Sequence, residues 1–370
     1  MKRYLIRAFI VLSVAILLLA GAGYLYLQHA LFGMLPTEEQ AKQFAHSPNY
    51  QEGHFVNQTP SPIHTNGSTD WSIWKETLLG EKGQPRPEYP LPAVKTDLKA
   101  LDIQQDLFVW LGHSSFYIQL GGKRILIDPV FSDYASPVPM INKAFTGTSI
   151  YQAEDIPPVD ILLISHDHYD HLDYPTIKAI QQNVKQVMTG LGVGAHFQAW
   201  GYPENIVHEA DWYHSVSFDG VTITATPARH FSGRTLSRDQ SLWVGYVLKS
   251  ADKTLFISGD SGYGTHFEEI GKRFGPFDWV ALDSGQYDPR WANVHMSPEE
   301  ALQAARDLQA TAFTPIHIGR FSLAPHDWND PMKRIITSNT FGHSLWTPLI
   351  GQPVYFNNPP GDFTPWWDPK

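Results

Sequence analysis

Short apolar runs, bounded by turn residues, recur along the chain from about residue 106 onward. Runs of a few residues that are rich in β-branched and aromatic side chains are typical of buried β-strands. The pair Gly121-Gly122 separates two of them and predicts a tight hairpin turn. The predicted strands cover residues 107–111, 116–120, 124–127, 161–164, 187–189, 206–208, 215–218, 221–225, 242–249, 254–258 and 311–314.

Helical segments lie between several of these strands. Residues 174–184 and 194–200 predict surface helices, and Ser297-Pro298-Glu299-Glu300 has the serine cap and early proline of a helix N-terminus. Two successive β-rich halves with helices outside predict a four-layer αβ/βα sandwich over residues 105–352, where a composite site can assemble along one edge of both sheets. Residues 353–370 are expected to form a Pro- and Trp-rich C-terminal tail.

The most apolar stretch is residues 8–27, in which Ser13 is the only polar side chain apart from two tyrosines. Its length is sufficient to span a bilayer as a helix. Lys2, Arg3 and Arg7 precede it and should stay in the cytoplasm. Residues 1–30 therefore predict an inner-membrane anchor with the remaining chain on the periplasmic side. The alternative is a signal peptide cleaved near Ala22, which would release a secreted protein.

Residues 31–104 differ from the rest of the chain in composition and pattern, with eight prolines and few sustained apolar runs. They predict an extended lead-in segment that packs over the domain surface, with one short helix near residues 71–79. Trp71 and Trp74 in that helix either dock the segment onto the core or touch a lipid-like substrate.

Composition and charge restrict the function. The 370 residues, 42% of them hydrophobic, are sufficient for one large domain with appendages, and the absence of cysteine excludes disulfides and thiolate chemistry. Without residues 1–30, 24 Lys and Arg face 37 Asp and Glu, a net charge of −13. Such a surface opposes binding to nucleic acid and to anionic lipid headgroups. Membrane contact would therefore need the N-terminal segment or an apolar patch. The oligomeric state stays open.

The densest chemistry follows the strand predicted at residues 161–164. His166, His168, Asp170 and His171 form the pattern HxHxDH at its end. So many imidazoles repel one another on protonation unless a cation holds them neutral, and this donor set suits divalent zinc or, less specifically, iron or manganese. The first two histidines alternate on one side of the strand end and the other two residues lie past the turn, which indicates two adjacent ions. The alternative is a solvated turn after a core strand.

This pattern resembles the metallo-β-lactamase superfamily, in which HxHxDH is followed by a distant His, Asp and His. His230, Asp260 and His317 are the candidates here, and each follows a strand-like run. The resemblance implies two ligand sets joined by Asp260, namely His166, His168 and His230 for one metal and Asp170, His171 and His317 for the other.

Further motifs narrow the resemblance to the branch that contains N-acylphosphatidylethanolamine-hydrolysing phospholipase D. They are the run at residues 110–137 and the sequences HYDHLD, GDSGY, YDPRW, HMSPEEA and HIGRFSLAPHDW. The ascorbate-6-phosphate lactonase branch is also similar, although the C-terminal motifs favour the phospholipase. The resemblance implies a lipid or an amphiphilic small molecule as substrate.

Two residues near the first strands are candidates for supporting roles. Asp128 ends the strand at residues 124–127. It either caps the following turn or, as the resemblance implies, lies beside the metal site as a catalytic residue that orients a ligand or the metal-bound water. His113, after the first strand, either contacts substrate or makes a structural hydrogen bond.

The C-terminal half adds further candidates. Gln286 and Tyr287 lie in the loop before Ser297 and are candidate substrate-binding residues. His295 resembles the family's substrate-facing histidine and is a catalytic candidate, with packing under the loop as the alternative. Arg320 pairs either with a substrate phosphate or with a surface carboxylate.

These residues predict a metal-dependent hydrolase. Two divalent ions, in first place Zn²⁺ with Fe or Mn as alternatives, would lower the pKa of a bridging water, so that metal-bound hydroxide cleaves a phosphodiester. Asp170 would orient the water or carry its proton. A serine or thiol nucleophile is disfavoured, because the chain has no G-x-S-x-G motif and no cysteine.

Three alternatives share this donor set. A lactonase or another ester hydrolase would use the same chemistry on a different bond. A di-iron oxidoreductase would use the same ligands, since imidazole and carboxylate also suit iron. A membrane-tethered binding protein without turnover is the third alternative.

Overall fold

The computed structural model describes residues 1–79 and 83–368. One long helix and several short elements precede its main sheets. These elements are α1 (Lys2–Leu27), α2 (Glu38–Phe44), β1 (Tyr50–Gln51), β2 (His54–Phe55) and α3 (Asp70–Leu79). α1 is long and apolar enough to cross a membrane and is not buried in the domain, although a signal sequence has the same properties. α3 confirms the helix predicted in the lead-in segment. Trp71 is exposed, and the side chain of Trp74 lies outside the described residues.

The first β-rich half alternates strands with helices after an initial three-stranded meander. Its elements are β3 (Leu107–Gly112), β4 (Ser115–Leu120), β5 (Lys123–Ile127), β6 (Val159–Ile164), α4 (Tyr174–Ile180), β7 (Val184–Gly190), α5 (Gly194–Ala199) and β8 (Val207–Ala210).

The second half repeats this plan. Its elements are β9 (Ser215–Phe218), β10 (Val221–Thr226), β11 (Gly245–Lys249), β12 (Thr254–Ile257), α6 (His266–Phe274), β13 (Trp279–Asp283), α7 (Pro298–Asp307), β14 (Ala312–Ile316), α8 (Asp330–Ser338), β15 (Ser344–Leu345) and β16 (Pro353–Tyr355).

The first half contributes six strands to a seven-stranded sheet that β16 completes, and β9 to β15 of the second half form the other seven-stranded sheet. The first has the order β16-β3-β4-β5-β6-β7-β8 and the second the order β15-β14-β13-β12-β11-β10-β9. Strands β5 to β8 pair in parallel, as do β12 to β15. The carboxyl ends of parallel strands lie at one edge of a sheet, and the loops that follow these strands leave from that edge.

The core lies between the two sheets. Phe108 of β3 stacks on Trp279 of β13 with ring centroids 4.4 Å apart. The hydroxyl of Tyr246 in β11 donates to the carbonyl of Ile164 in β6 at 2.7 Å, so the polar end of this buried side chain is satisfied. Two further apolar clusters pack the helices onto the outer sheet faces. The predicted four-layer αβ/βα sandwich is confirmed.

Several predicted boundaries shift for local reasons. The helix predicted at residues 174–184 ends at Ile180, because the next three residues tighten into a 3₁₀ turn before β7. The strand predicted at residues 242–249 begins only at Gly245. The amides of Leu242 and Val244 instead donate to the carbonyls of Leu191 and Ser165 in the other half. Ser297 caps α7 as predicted, in a capping box with Glu300.

The prediction that residues 353–370 form a tail needs correction. Residues 353–355 form β16 and pair antiparallel with β3, and Val354 is fully buried. Trp366 and Trp367 are also buried, and Trp366 packs on Trp110 of β3. A three-residue strand leaves little periodicity, and its partner lies more than 240 residues earlier in the chain, so no local pattern predicts this pairing.

Candidate metal centre

The predicted ligands converge at one edge of the sandwich because each follows the end of a strand. His166 to His171 follow β6, His230 follows β10, Asp260 follows β12 and His317 comes directly after β14. Their potential ligand atoms lie within 4.8 Å of one another in two main groups, His166–His168–His230–Asp260 and His113–Asp170–His171–His317. All seven predicted ligands are therefore brought together, with contributions from both sheets.

Three imidazoles of the first group point at one another. Nδ1 of His168 lies 2.9 Å from Nε2 of His166 and 3.2 Å from Nε2 of His230. Oδ2 of Asp260 lies 3.8 Å from both of these Nε2 atoms. Nitrogen atoms gathered at such distances around a carboxylate are suited to share one cation.

In the second group, imidazoles gather around Asp170. Oδ2 of Asp170 lies 3.1 Å from Nε2 of His317 and 3.4 Å from Nε2 of His171. Asp260 also reaches this group, with Oδ1 3.1 Å from His171 Nε2 and Oδ2 3.3 Å from His317 Nε2. Asp260 therefore stands between the two groups, as a bridging carboxylate would.

Unsatisfied buried atoms show that the residues fit a cation. Nε2 of His171 and Oδ1 of Asp260 are buried 3.1 Å apart, but neither atom makes a hydrogen bond of acceptable geometry to the described residues. No lysine or arginine in residues 1–79 and 83–368 forms an ion pair with Asp170 or Asp260. Burying two carboxylates without a cation is costly, and imidazole with carboxylate is a donor set that divalent metals prefer.

The pKa shifts point the same way. Burial and neighbouring imidazoles hold the pKa of His166 well below its ordinary value, despite the carboxylate of Asp260. Burial also acts to lower the pKa of His171, but Asp260 and Asp170 outweigh it and raise that pKa well above the ordinary value. Burial also acts to lower the pKa of His317, but the carboxylates of Asp260 and Asp283 outweigh it and raise that pKa to about 10. The buried carboxylates thus favour positive charge within the cluster, and a bound divalent cation would supply that charge.

Asp128 contacts a predicted ligand. It follows β5, and its Oδ2 lies 2.8 Å from Nδ1 of His171. The backbone N–H and the hydroxyl of Ser165 donate to the same carboxylate at 2.7 and 2.5 Å. Nδ1 of His171 is thereby engaged, which directs Nε2 towards the cluster.

Asp283 has an equivalent position and was missed by the sequence analysis. It ends β13 and is fully buried. Its Oδ2 lies 2.8 Å from Nδ1 of His295, and its Oδ1 lies 3.4 Å from Nδ1 of His317. The signal was available, because Asp283 ends an apolar strand as Asp128 and Asp260 follow theirs.

His295 lies at the cluster rather than beneath the loop alone. Its ring is 4.8 Å from that of His317 and 5.0 Å from that of His230. Its side chain retains 13% exposure, whereas those of His166, His171 and His317 are at most 1% exposed. His295 is therefore placed between the ligands and the outside.

His113 makes the structural hydrogen bond that was one of its two predicted roles. It is fully buried, and its Nε2 lies 2.9 Å from Oδ2 of Asp170. Because it is enclosed behind a predicted ligand, the alternative of substrate contact is not supported by its position.

Gln286 and Tyr287 do not have the environment of substrate-binding residues. The amide nitrogen of Gln286 donates to the carbonyls of His317 and Phe321, and its oxygen accepts from the N–H groups of Leu323 and Ala324. The hydroxyl of Tyr287 donates to Asp330, and its ring stacks on His326. Both side chains hold the loop after β14 in place.

The two roles predicted for Arg320 are corrected. Its guanidinium is buried and donates to the carbonyls of Thr148 and Ser132 and to the hydroxyl of Ser149. A buried guanidinium whose two terminal nitrogens donate to main-chain and hydroxyl oxygens forms no surface salt bridge and is not directed at a substrate phosphate.

The lead-in segment also reaches the centre, which the sequence did not indicate. The side-chain amide of Asn57 donates to the carbonyl of His230 at 2.8 Å, and its oxygen accepts from the N–H of His230 at 3.1 Å. Residues 54–63 form one wall of an open groove of about 530 Å³, whose other wall includes His230, Phe231 and Trp243. One of the predicted ligands, His230, therefore lines the groove.

A family profile matches most of the region that carries these residues. Residues 123–318 fit the description "Beta-lactamase superfamily domain". An uncharacterized protein from Mycobacterium tuberculosis is 36% identical over 328 residues, which cover 87% of each chain. N-acyl-phosphatidylethanolamine-hydrolyzing phospholipase D 1 from Caenorhabditis elegans is 32% identical over 255 residues, which cover 61% of this chain and 68% of the nematode protein.

A solved structure agrees at the level of the fold. Igni18, described as a metallo hydrolase from the archaeon Ignicoccus hospitalis, superposes with a TM-score of 0.53 at 20% identity and covers 68% of this chain and 97% of its own. Identity this low supports the shared architecture and not a shared substrate.

Proposed function

The chain belongs to the beta-lactamase superfamily and is a metal-dependent hydrolase, and from that premise we propose that it cleaves a phosphodiester bond in a phospholipid-like amphiphile such as an N-acylphosphatidylethanolamine. The observation that supports this substrate class is the 32% identity over 255 residues to a nematode phospholipase D of that specificity. We further propose that α1 tethers the domain to the inner membrane, on its periplasmic side.

Seven residues would hold two divalent cations in this proposal. They are His166, His168 and His230 for one, Asp170, His171 and His317 for the other, and Asp260 for both. When bound, such cations, most suitably Zn²⁺, polarise the phosphoryl oxygen and make a water available as hydroxide near neutral pH. Asp128 and Asp283 fix the ring orientations of His171 and His295 through the short contacts described above.

Asp170 and His295 have the positions needed for the proton and the phosphoryl group. The Asp170 contacts to His113 and His317 use Oδ2, which leaves Oδ1 to accept the proton of the attacking water. The water oxygen bonds to phosphorus, the bond from phosphorus to the headgroup oxygen breaks, and the proton passes to the departing alcohol. Because Nδ1 of His295 is engaged by Asp283, its Nε2 is the atom left to orient a phosphoryl oxygen.

The full chain, reconstituted in phospholipid nanodiscs with H₂¹⁸O, tests this proposal by mass spectrometry. Phosphatidate carrying ¹⁸O, together with a released headgroup alcohol, should form with the unmodified chain and not with His168→Ala. Ser217→Ala, an exposed position on the edge strand β9, is a surface control that should retain activity. Absence of labelled phosphatidate from metal-loaded protein would refute the phospholipase assignment and favour lactones or other esters as substrates.

Metal analysis separates hydrolysis from oxidation. Purified protein is expected to contain two divalent ions per chain and to release product without consuming oxygen. Two irons together with oxygen consumption would favour the di-iron oxidoreductase instead, because the same donor set accepts iron.

A further inference from the structure

The loop between β5 and β6 is tied at its base. The N–H of Ala135 donates to the carbonyl of Asn142 at 3.0 Å, and the N–H of Ala144 donates to the carbonyl of Asp133 at 2.7 Å. Ala135 and Ala144 pack with Val130 in a small buried cluster. The base is therefore anchored, and residues 136–141, which we term the apolar tip, project from it.

The apolar tip displays hydrophobic side chains to the outside. Met140 is 84% exposed, Ile141 49% and Val138 42%. No charged residue lies between Asp133 and Lys143. Contiguous exposed apolar side chains on a well-anchored loop are typical of a surface that meets another apolar phase.

The apolar tip lies beside the end of the apolar helix α1. The hydroxyl of Tyr26, in the last turn of α1, donates to the carbonyl of Pro137. Tyrosines at the end of a spanning helix lie at the level of the lipid headgroups. The contact with Pro137 therefore places the apolar tip at that level if α1 spans the bilayer.

The chain after α1 is fixed to the domain almost at once. Trp200 Nε1 donates to the carbonyl of Ala30 at 2.8 Å, and the guanidinium of Arg234 donates to the carbonyl of Leu31 at 2.6 Å. Only residues 28 and 29 separate α1 from this docked segment. The domain thus has little freedom to move away from the membrane surface.

The same region borders the candidate metal centre. Phe32 packs edge-on against Tyr169, which directly follows His168. A cleft of about 180 Å³ lies between the apolar tip and Tyr169, lined by Pro137, Pro139 and Leu31 among others. Leu236, 90% exposed, projects from the loop that carries Arg234.

We propose that the apolar tip inserts into the headgroup region of the phospholipid bilayer that α1 spans, and that it delivers substrate from the adjoining leaflet to the metal centre. The proposal rests on the membrane location and the lipid substrate given under Proposed function. Apolar insertion is needed because the strongly acidic chain gains nothing from anionic headgroups.

The absence of cysteine makes a direct test available. Single cysteines introduced by Met140→Cys, Leu12→Cys and Ser217→Cys are labelled with an environment-sensitive fluorophore in the full chain, which is reconstituted in nanodiscs with nitroxide-labelled phospholipids. Leu12 lies in the middle of α1 and reports on spanning. Ser217 lines a groove with Asp160, at the end of β6 opposite to His166, and serves as a control away from the membrane.

We expect nitroxides at the headgroup level to quench the fluorophore at residue 140. Nitroxides deep in the bilayer should quench the fluorophore at residue 12, and neither kind should quench the one at residue 217. Quenching at residue 12 without quenching at residue 140 would overturn the proposal. Lack of quenching at residue 12 would overturn it too, since α1 would then not span. Because this readout is independent of turnover, insertion without phospholipid hydrolysis would refute the proposed substrate and leave the membrane contact standing.

Substitution separates delivery from chemistry. Met140→Asp should lower the hydrolysis rate on bilayer phospholipid about 10- to 100-fold, the range that corresponds to losing one buried methionine's transfer free energy. Its rate on water-soluble bis(4-nitrophenyl) phosphate should be unchanged. Equal losses on both substrates would contradict a role in delivery.

Discussion

Asp260 is the most connected side chain of the candidate centre. Its two oxygens lie between 3.1 and 3.8 Å from nitrogen atoms of four imidazoles. These imidazoles follow strands of both sheets, so one carboxylate joins both halves of the fold. Replacement of a carboxylate in that position affects both candidate cation sites together.

We expect Asp128→Asn to weaken metal binding about 10- to 100-fold, because asparagine offers one acceptor oxygen where both carboxylate oxygens are used, one by the N–H of Ser165 and one by Nδ1 of His171, and because it removes the negative charge beside the imidazole. Competition with a chromophoric chelator measures this affinity. Asp173→Asn is the matched control, since Asp173 is also a buried carboxylate but accepts from Ser132 and Thr176. Equal affinity of Asp128→Asn and the unmodified chain would show that Asp128 has no such role.

The sequence identified the residues whose position follows from a strand end. The HxHxDH group and Asp260 come directly after apolar runs, and a strand fixes where its last residue points. Gln286 and Arg320 lie in loops instead. Their partners are main-chain carbonyls and N–H groups from remote segments, and no local pattern encodes those.

Strands and loops contribute to the centre in different ways. β5, β12 and β13 each lead to a buried aspartate, which made Asp128 and Asp260 predictable and Asp283 recoverable by the same rule. The lead-in segment was predicted only to cover the surface. Its contact through Asn57 depends on tertiary packing against β10 and the loop that follows, which the proline-rich sequence does not encode.

Asn57→Ala is expected to weaken metal binding about tenfold, because His230 loses both hydrogen bonds that fix its main chain. Chelator competition measures the metal affinity, and thermal unfolding of the metal-free protein measures the midpoint with which it is compared. Thr59→Ala, two residues further along an exposed stretch, should change neither quantity. A lowered thermal midpoint with unaltered metal affinity would indicate that Asn57 serves only stability.

The two seven-stranded sheets meet at both the core and the candidate centre. Phe108 and Trp279 join them in the interior, while His166 and His317 bring ligand atoms from each to the shared edge. A cation bound by both sheets adds its binding free energy to the stability of the whole sandwich.

Removal of metal with a chelator should therefore lower the thermal midpoint. A cation present at 100 times its Kd stabilises the folded state by about 2.7 kcal/mol. Calorimetry before and after chelation, followed by return of Zn²⁺, measures the effect. The shift should be smaller for His168→Ala, and an identical shift in that variant would show that the stabilising cation binds elsewhere.

The last strand of the chain completes the first sheet. β16 pairs with β3 as the edge strand of the first sheet. The edge formed by residues 107–112 therefore stays unpaired until residues 353–355 are available. A ribosome must release almost the entire chain before this pairing can form. The first sheet consequently gains its final strand only after residue 355 has been made, so the domain completes its fold late in synthesis.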